Sequence, residues 1–135
     1  MNKQEATPSV YTIIDWLILD DKIEPEMLFR FSEFYWPTFI QKDNYFFLKE
    51  KFSEERYVML LNNSQNLEYW INLVTIDDFF SKVDHGEEKS IALAKMLAEI
   101  WQIKLRKEFP NTIFIVEHLE DKECGDYGLT FYQKK

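Results

Sequence analysis

Nucleophilic catalysis needs a nucleophile, a base and a group that orients the base. In this chain of 135 residues the only thiol is Cys124 and the only imidazoles are His85 and His118. Cys124 sits in the acidic run Glu120-Asp121-Lys122-Glu123-Cys124-Gly125-Asp126, and neighbouring carboxylates disfavour the reactive thiolate. A Cys–His pair would need His118 to fold back across that loop, so an incidental loop cysteine is the simpler reading. The Asp77-Asp78 pair beside Phe79-Phe80 is the most suggestive site for acid–base work, since apolar surroundings favour a protonated carboxyl. The same two residues equally suit the start of a helix. Metal binding has no HExxH and no paired CxxC to rest on, and the acidic loop lacks the ligand spacing of a calcium site. No Walker or GxGxxG pattern is present, and three glycines leave few backbone cradles for phosphate. No catalytic residue, metal or cofactor is expected.

These residues must be held by the elements that the apolar pattern predicts. The strongest signal is a helix over residues 87–108. Ala94, Leu97, Ala98, Trp101 and Leu105 recur at spacings of three and four, and Leu93, Met96, Ile100 and Ile103 widen the stripe. A face this wide predicts cover on two sides. Glu87 and Glu88 at the start, and Lys104, Arg106 and Lys107 near the end, complement the helix dipole. Asp84 is the expected N-cap, and Pro110 stops the helix. Two strand-like runs follow, residues 112–119 and 127–133, joined by the polar connection 120–126.

Earlier in the chain, Val10, Ile13, Ile14, Leu17 and Ile18 mark an amphipathic helix with Ser9 as its cap. Glu24-Pro25-Glu26 opens a second helix, carrying Met27, Leu28, Phe31, Phe34 and Tyr35 and ending at Pro37. The pair reads as an αα-hairpin. Residues 38–51 predict a β-hairpin turning at Lys42-Asp43-Asn44, and residues 52–61 a short helix. Residues 66–74 alternate as a strand would, although a run this short also fits a helix. The sequence Thr75-Ile76-Asp77-Asp78 resembles a capping box with Asp in place of Glu, predicting a short helix to about Val83. The expected fold is α+β: a single domain over residues 1–135, with an antiparallel sheet of hairpins packed against the long C-terminal helix and an N-terminal helical pair.

Composition bounds the function classes. A chain of this length buries roughly two-thirds of its surface on folding, enough for a true core. Its residues are 46% hydrophobic and 30% charged, which excludes disorder. Sixteen Lys and Arg against 24 Asp and Glu give a formal net charge of −8, which disfavours nucleic acid or an anionic membrane as partner. A single cysteine fits a reducing compartment. With no apolar leader and no run of roughly 18 apolar residues, the expected location is cytoplasmic.

Aromatic residues make up 17% of the chain; most belong to the core, and several fall off the apparent inward faces, where a wide core, a second sheet face or an interaction surface would take them. Phe29, Trp16 and Trp70 are examples. Surplus aromatics mark interaction surfaces. The expected function is therefore a non-enzymatic protein-interaction domain with an acidic, aromatic surface. An inhibitor or immunity-type protein that masks a basic effector fits this description, as does a homodimer. Trp16, Trp36 and Trp70 are the candidate anchors, with Asp20, Asp21, Glu24 and Glu26 as a charged rim. The alternative is a small-molecule-binding domain or cofactor-free enzyme whose aromatic-lined pocket offers Asp77, Asp78 or His118. A filled core with an exposed aromatic patch favours the first, and a large cavity holding one of those polar groups favours the second.

Overall fold

The computed structural model describes residues 12–20, 22–63, 66–121 and 126–135. The chain is α+β and divides into two compact units, residues 1–32 and 33–135. The first unit carries helix α1, Ile13–Leu19, and most of helix α2, Pro25–Tyr35. Thr12 caps α1 in a capping box: its hydroxyl accepts the Asp15 N–H at 3.2 Å, and the Asp15 carboxylate accepts the Thr12 N–H at 3.1 Å. Ser9, the cap expected from sequence, lies outside the described residues. Neither helix contains a buried residue.

In the second unit, β1 (Phe39–Lys42) and β2 (Tyr45–Leu48) form a two-stranded hairpin around Asp43-Asn44. Asp43 takes the left-handed backbone (φ 57°) that tight hairpin turns demand. Its carboxylate accepts the Tyr57 hydroxyl at 2.6 Å, anchoring the turn to helix α3, Glu54–Asn63. Strand alternation sends Phe39, Phe46 and Leu48 into the main core and Phe47 into a second cluster with Tyr57, Leu67 and Ile71. Burial of both faces explains the unbroken run Tyr45-Phe46-Phe47-Leu48.

Helix α4 (Leu67–Ile71), strand β3 (Val74–Thr75), a 3-10 turn (Asp77–Phe80), helix α5 (Gly86–Glu108), and strands β4 (Phe114–Asp121) and β5 (Asp126–Gln133) complete the unit. The last two strands and β3 form an antiparallel sheet in the order β3-β5-β4. Helix α5 lies on it, burying Ala94, Leu97, Trp101 and Leu105 against Phe114, Leu129 and Phe131. The Trp101 indole N–H donates to the Phe34 carbonyl at 3.1 Å. Phe114 meets Phe46 and Phe131 edge to face, with ring centroids 5.1 and 6.0 Å apart.

Four local expectations are corrected. Residues 66–74 are mainly helix, because Leu67 and Ile71, one turn apart, both enter the second cluster. The capping box at Thr75 does not form: Thr75 pairs with Gly128 in the sheet, and Ile76 takes the cap position of the 3-10 turn with no side-chain cap. Asp84 does not cap α5; His85 occupies that position in left-handed backbone (φ 58°) with no side-chain cap. The wide face of α5 is covered only in part. Leu93 and Ile100 pack against the core, whereas Met96 and Ile103 are exposed.

Two polar side chains join the sheets. Within the hairpin, Phe46 and Leu48 turn their backbone groups away from β1, as non-bonded pairs in an antiparallel ladder do. Glu68 Oε2 accepts the Phe46 N–H at 2.8 Å, and Asn72 Oδ1 accepts the Leu48 N–H at 2.9 Å. The Asn72 amide donates to the carbonyls of Phe46 at 3.0 Å and Phe131 at 3.1 Å. Glu68 Oε1 takes the Gln133 N–H at 2.9 Å. Beyond the end of β3, these two side chains therefore fill the edge of β5 and splice it to the edge of β2.

Candidate functional site

The three-stranded sheet has a second face, turned away from α5. Alternation along the paired strands assigns Ile115, Glu117 and Leu119 of β4, and Gly128, Thr130 and Tyr132 of β5, to it. Helix α4 reaches across part of this face. The Thr130 hydroxyl donates to the Tyr69 carbonyl at 2.7 Å, and the Tyr69 ring lies 5.9 Å from Tyr132 and 5.0 Å from Trp70. The Tyr132 hydroxyl donates to Glu117 Oε2 at 2.9 Å. Arg56 donates to the Trp70 carbonyl at 3.3 Å, so the backbone is held while the indole remains 49% exposed.

Two clefts share Tyr69 as a wall. One, of about 570 Å³, runs past Tyr45, Leu67, Ile115 and Tyr132. The other, of about 550 Å³, is floored by Trp70, Leu73 and Leu119 and edged by Glu120, Asp121 and Asp126. Burial, reinforced by Glu117, raises the pKa of Tyr69, and burial with the hydrogen bond to Glu117 raises that of Tyr132. Both phenols are neutral at physiological pH, and the charge on this face comes from carboxylates.

The residues singled out from sequence fall in separate places. Trp16 is 54% exposed on α1 in the first unit, where Asp20 ends α1 and accepts the Lys22 N–H at 2.9 Å. Glu24 and Glu26 are exposed around the start of α2, and Asp21 lies outside the described residues. Trp36 belongs to the second unit and is 41% exposed, with the ammonium groups of Lys104 and Lys107 5.6 and 5.9 Å from its ring. Of the three tryptophans, Trp70 alone lines the described clefts. Asp77, Asp78 and His118 line neither of them. Asp77 is occupied by the Tyr127 backbone, Asp78 is exposed, and His118 stands on β4 with its Nε2 3.8 Å from Glu120. The sequence reading missed Tyr69, Tyr132 and Glu117. The signal for the latter two was the register of the closing hairpin, which places Glu117 and Tyr132 on the same side as the apolar Ile115 and Leu119.

Among the described residues no group of three or more His, Cys, Asp or Glu side chains could hold a metal ion, and no helix is long and apolar enough to cross a membrane. No buried side-chain nitrogen or oxygen among them lacks a hydrogen-bond partner. No protein-family model, curated protein or solved structure matches the chain.

Proposed function

We propose that this chain is a non-enzymatic protein-interaction domain that docks a basic protein partner on the open face of its three-stranded sheet. The observation that carries this reading is the grouping on that face of Tyr69, half-exposed Trp70, Leu73 and Leu119 beside Asp121 and Asp126. Aromatic anchors hold a complex, and like-signed charges around them speed encounter with a partner of opposite sign. The net charge of −8 extends that field over the whole chain. Masking a basic effector is one role this chemistry serves. The first unit adds further apolar surface, with Ile13, Ile14, Trp16, Ile18 and Phe29 all more than half exposed.

The test is affinity capture of the tagged chain and its Trp70→Ser variant from host lysate, read by native mass spectrometry. A stoichiometric basic protein held by the unaltered chain, lost with Trp70→Ser and binding more slowly as salt rises, is the expected result. A retained small molecule with no protein would overturn the reading and return attention to the clefts as ligand sites.

A further inference from the structure

We propose that the outer edge of β4 accepts an added antiparallel β-strand from an extended, cationic polypeptide segment. This inference rests on the interaction reading and specifies how the partner engages. The hydrogen bond from Lys134 N–H to Ile113 O at 2.8 Å sets the ladder. With the register of β4 on β5, it turns the odd-numbered residues of β4 toward β5 and the backbone N–H and C=O groups of Phe114, Val116, His118 and Glu120 outward. β4 is an end strand, and among the described residues nothing continues the sheet beyond it.

Exposed edges of this kind are ordinarily blunted by charged side chains, lysine above all, or by proline, a bulge or shortness, and the only charged side chains on β4 beside His118 are acidic. β4 is eight residues long, pairs without a bulge and contains neither Lys nor Pro. The outer edges of β1 and β3 are only four and two residues long, and two further edges are closed by side chains. Glu68 and Asn72 seal those of β2 and β5 with side-chain hydrogen bonds.

Charge selects the occupant. Glu117, Glu120 and Asp121 lie along the strand, which itself holds no lysine or arginine; Lys95 of α5 stands 4.0 Å from Glu120. A second copy is disfavoured. The antiparallel register that pairs all four outward positions, Phe114 with Glu120 and Val116 with His118, sets Glu117 directly opposite Glu117 of the other copy. Like charges so placed destabilise a strand pair. A lysine- or arginine-bearing strand instead gains the backbone hydrogen bonds of strand addition and opposite-charge pairs across it.

The experiment uses the full chain and a synthetic peptide of alternating lysine and valine long enough to span β4. The control peptide carries glutamate in place of lysine. The expected result is salt-sensitive binding of the lysine peptide alone. It should slow amide hydrogen exchange about tenfold or more at Phe114, Val116, His118 and Glu120, with little change at Ile115, Glu117 and Leu119, which the β5 ladder already protects. His118→Pro removes an outward N–H without removing a bond to β5 and should abolish binding. Should that variant unfold, the double substitution Glu117→Gln, Glu120→Gln should still weaken binding about tenfold, as loss of two charge pairs implies. Lysine-peptide binding without the alternating protection would overturn the edge assignment and leave the interaction reading standing. Alternating protection that grows with protein concentration in the absence of peptide would assign the edge to a second copy. Failure of the lysine peptide to bind would overturn strand addition, while the Trp70 capture experiment tests the interaction reading separately.

Discussion

Glu68 and Asn72 stand one helical turn apart and together complete the hydrogen-bonding edges of two different sheets. The Glu68 carboxylate takes N–H groups from Phe46 and Gln133, and the Asn72 amide bridges Leu48, Phe46 and Phe131. Asn72 is fully buried and Glu68 nearly so. The hairpin and the three-stranded sheet are thereby joined through side chains where a backbone strand would otherwise be required.

Removing either side chain should cost far more than a surface substitution. Asn72→Ala strands one buried N–H and two buried carbonyls, so a loss of about 3 kcal/mol or more is expected. Glu68→Gln replaces one acceptor oxygen with a donor facing N–H groups, at a cost of about 1–3 kcal/mol. The double variant Glu68→Gln, Asn72→Ala should lose less than the sum, because both side chains serve the same junction. Urea midpoints of the four proteins check this, and additive losses would show the junction is not one unit.

Gly128→Ala should destabilise the protein, although alanine usually improves on glycine inside a strand by about 0.5–1 kcal/mol. A β-carbon there would lie 2.2 Å from the Val74 carbonyl oxygen and 3.2 Å from the Thr75 α-carbon. The backbone must separate, at a cost of about 1–3 kcal/mol, and β3 should loosen from β5. Thermal unfolding gives the sign. Faster exchange of the Ile76 amide, which bonds to the Tyr127 carbonyl, locates the damage.

Alkaline pH should unfold the chain through its tyrosines. The hydrogen bond to Asp43, with burial, pushes the Tyr57 pKa up to about 12; burial, with a hydrogen bond to Glu87, does the same for Tyr127. Above pH 10 the unfolded chain gives up these protons while the folded chain keeps them. Their stabilisation is therefore complete below pH 10 and is lost as pH rises through about 12. Titration of tyrosinate absorbance should show late-ionising phenols, and Tyr57→Phe should remove one of them. A single early step for all seven tyrosines would contradict this account.

The tryptophans should divide by role. Trp101 is 1% exposed in the main core, and Trp101→Ala should cost about 3–5 kcal/mol of stability. Trp70→Ser should change stability by no more than about 1 kcal/mol, yet weaken partner binding tenfold or more, about 1.4 kcal/mol. Denaturant titration and binding measured on the same preparations separate the two effects.

Much of the α+β architecture was legible as periodicity. The 3.6-residue stripe through Ala94, Leu97, Trp101 and Leu105 marks α5, and the alternation around Ile115 and Phe131 marks the closing hairpin. These patterns are legible because one face of each element is buried along its length. The candidate site was less so. Trp70 could be picked out as an aromatic off the inward face, but Tyr69, Glu117 and Tyr132 come together only through the placement of α4 over the sheet.

Residues 12–15 and 75–78 show the boundary between local and tertiary control. Both read Thr-x-x-Asp before an apolar stretch, so on local grounds either could cap a helix. At Thr12 the box forms, with the Thr12 hydroxyl and the Asp15 carboxylate each accepting the other residue's N–H. At Thr75 a long-range partner wins. β5 offers that residue strand pairing at Gly128, so the turn begins later, at Asp77, with Ile76 rather than Thr75 in the cap position. Residues 66–74 follow the same rule. Their alternation satisfies a strand, yet only the helical turn brings Leu67 and Ile71 into one core while pointing Glu68 and Asn72 at two open sheet edges. Local propensity spans tenths of a kcal/mol per residue, whereas each buried backbone group left unpaired costs about 1–3 kcal/mol, and the long-range partners prevail.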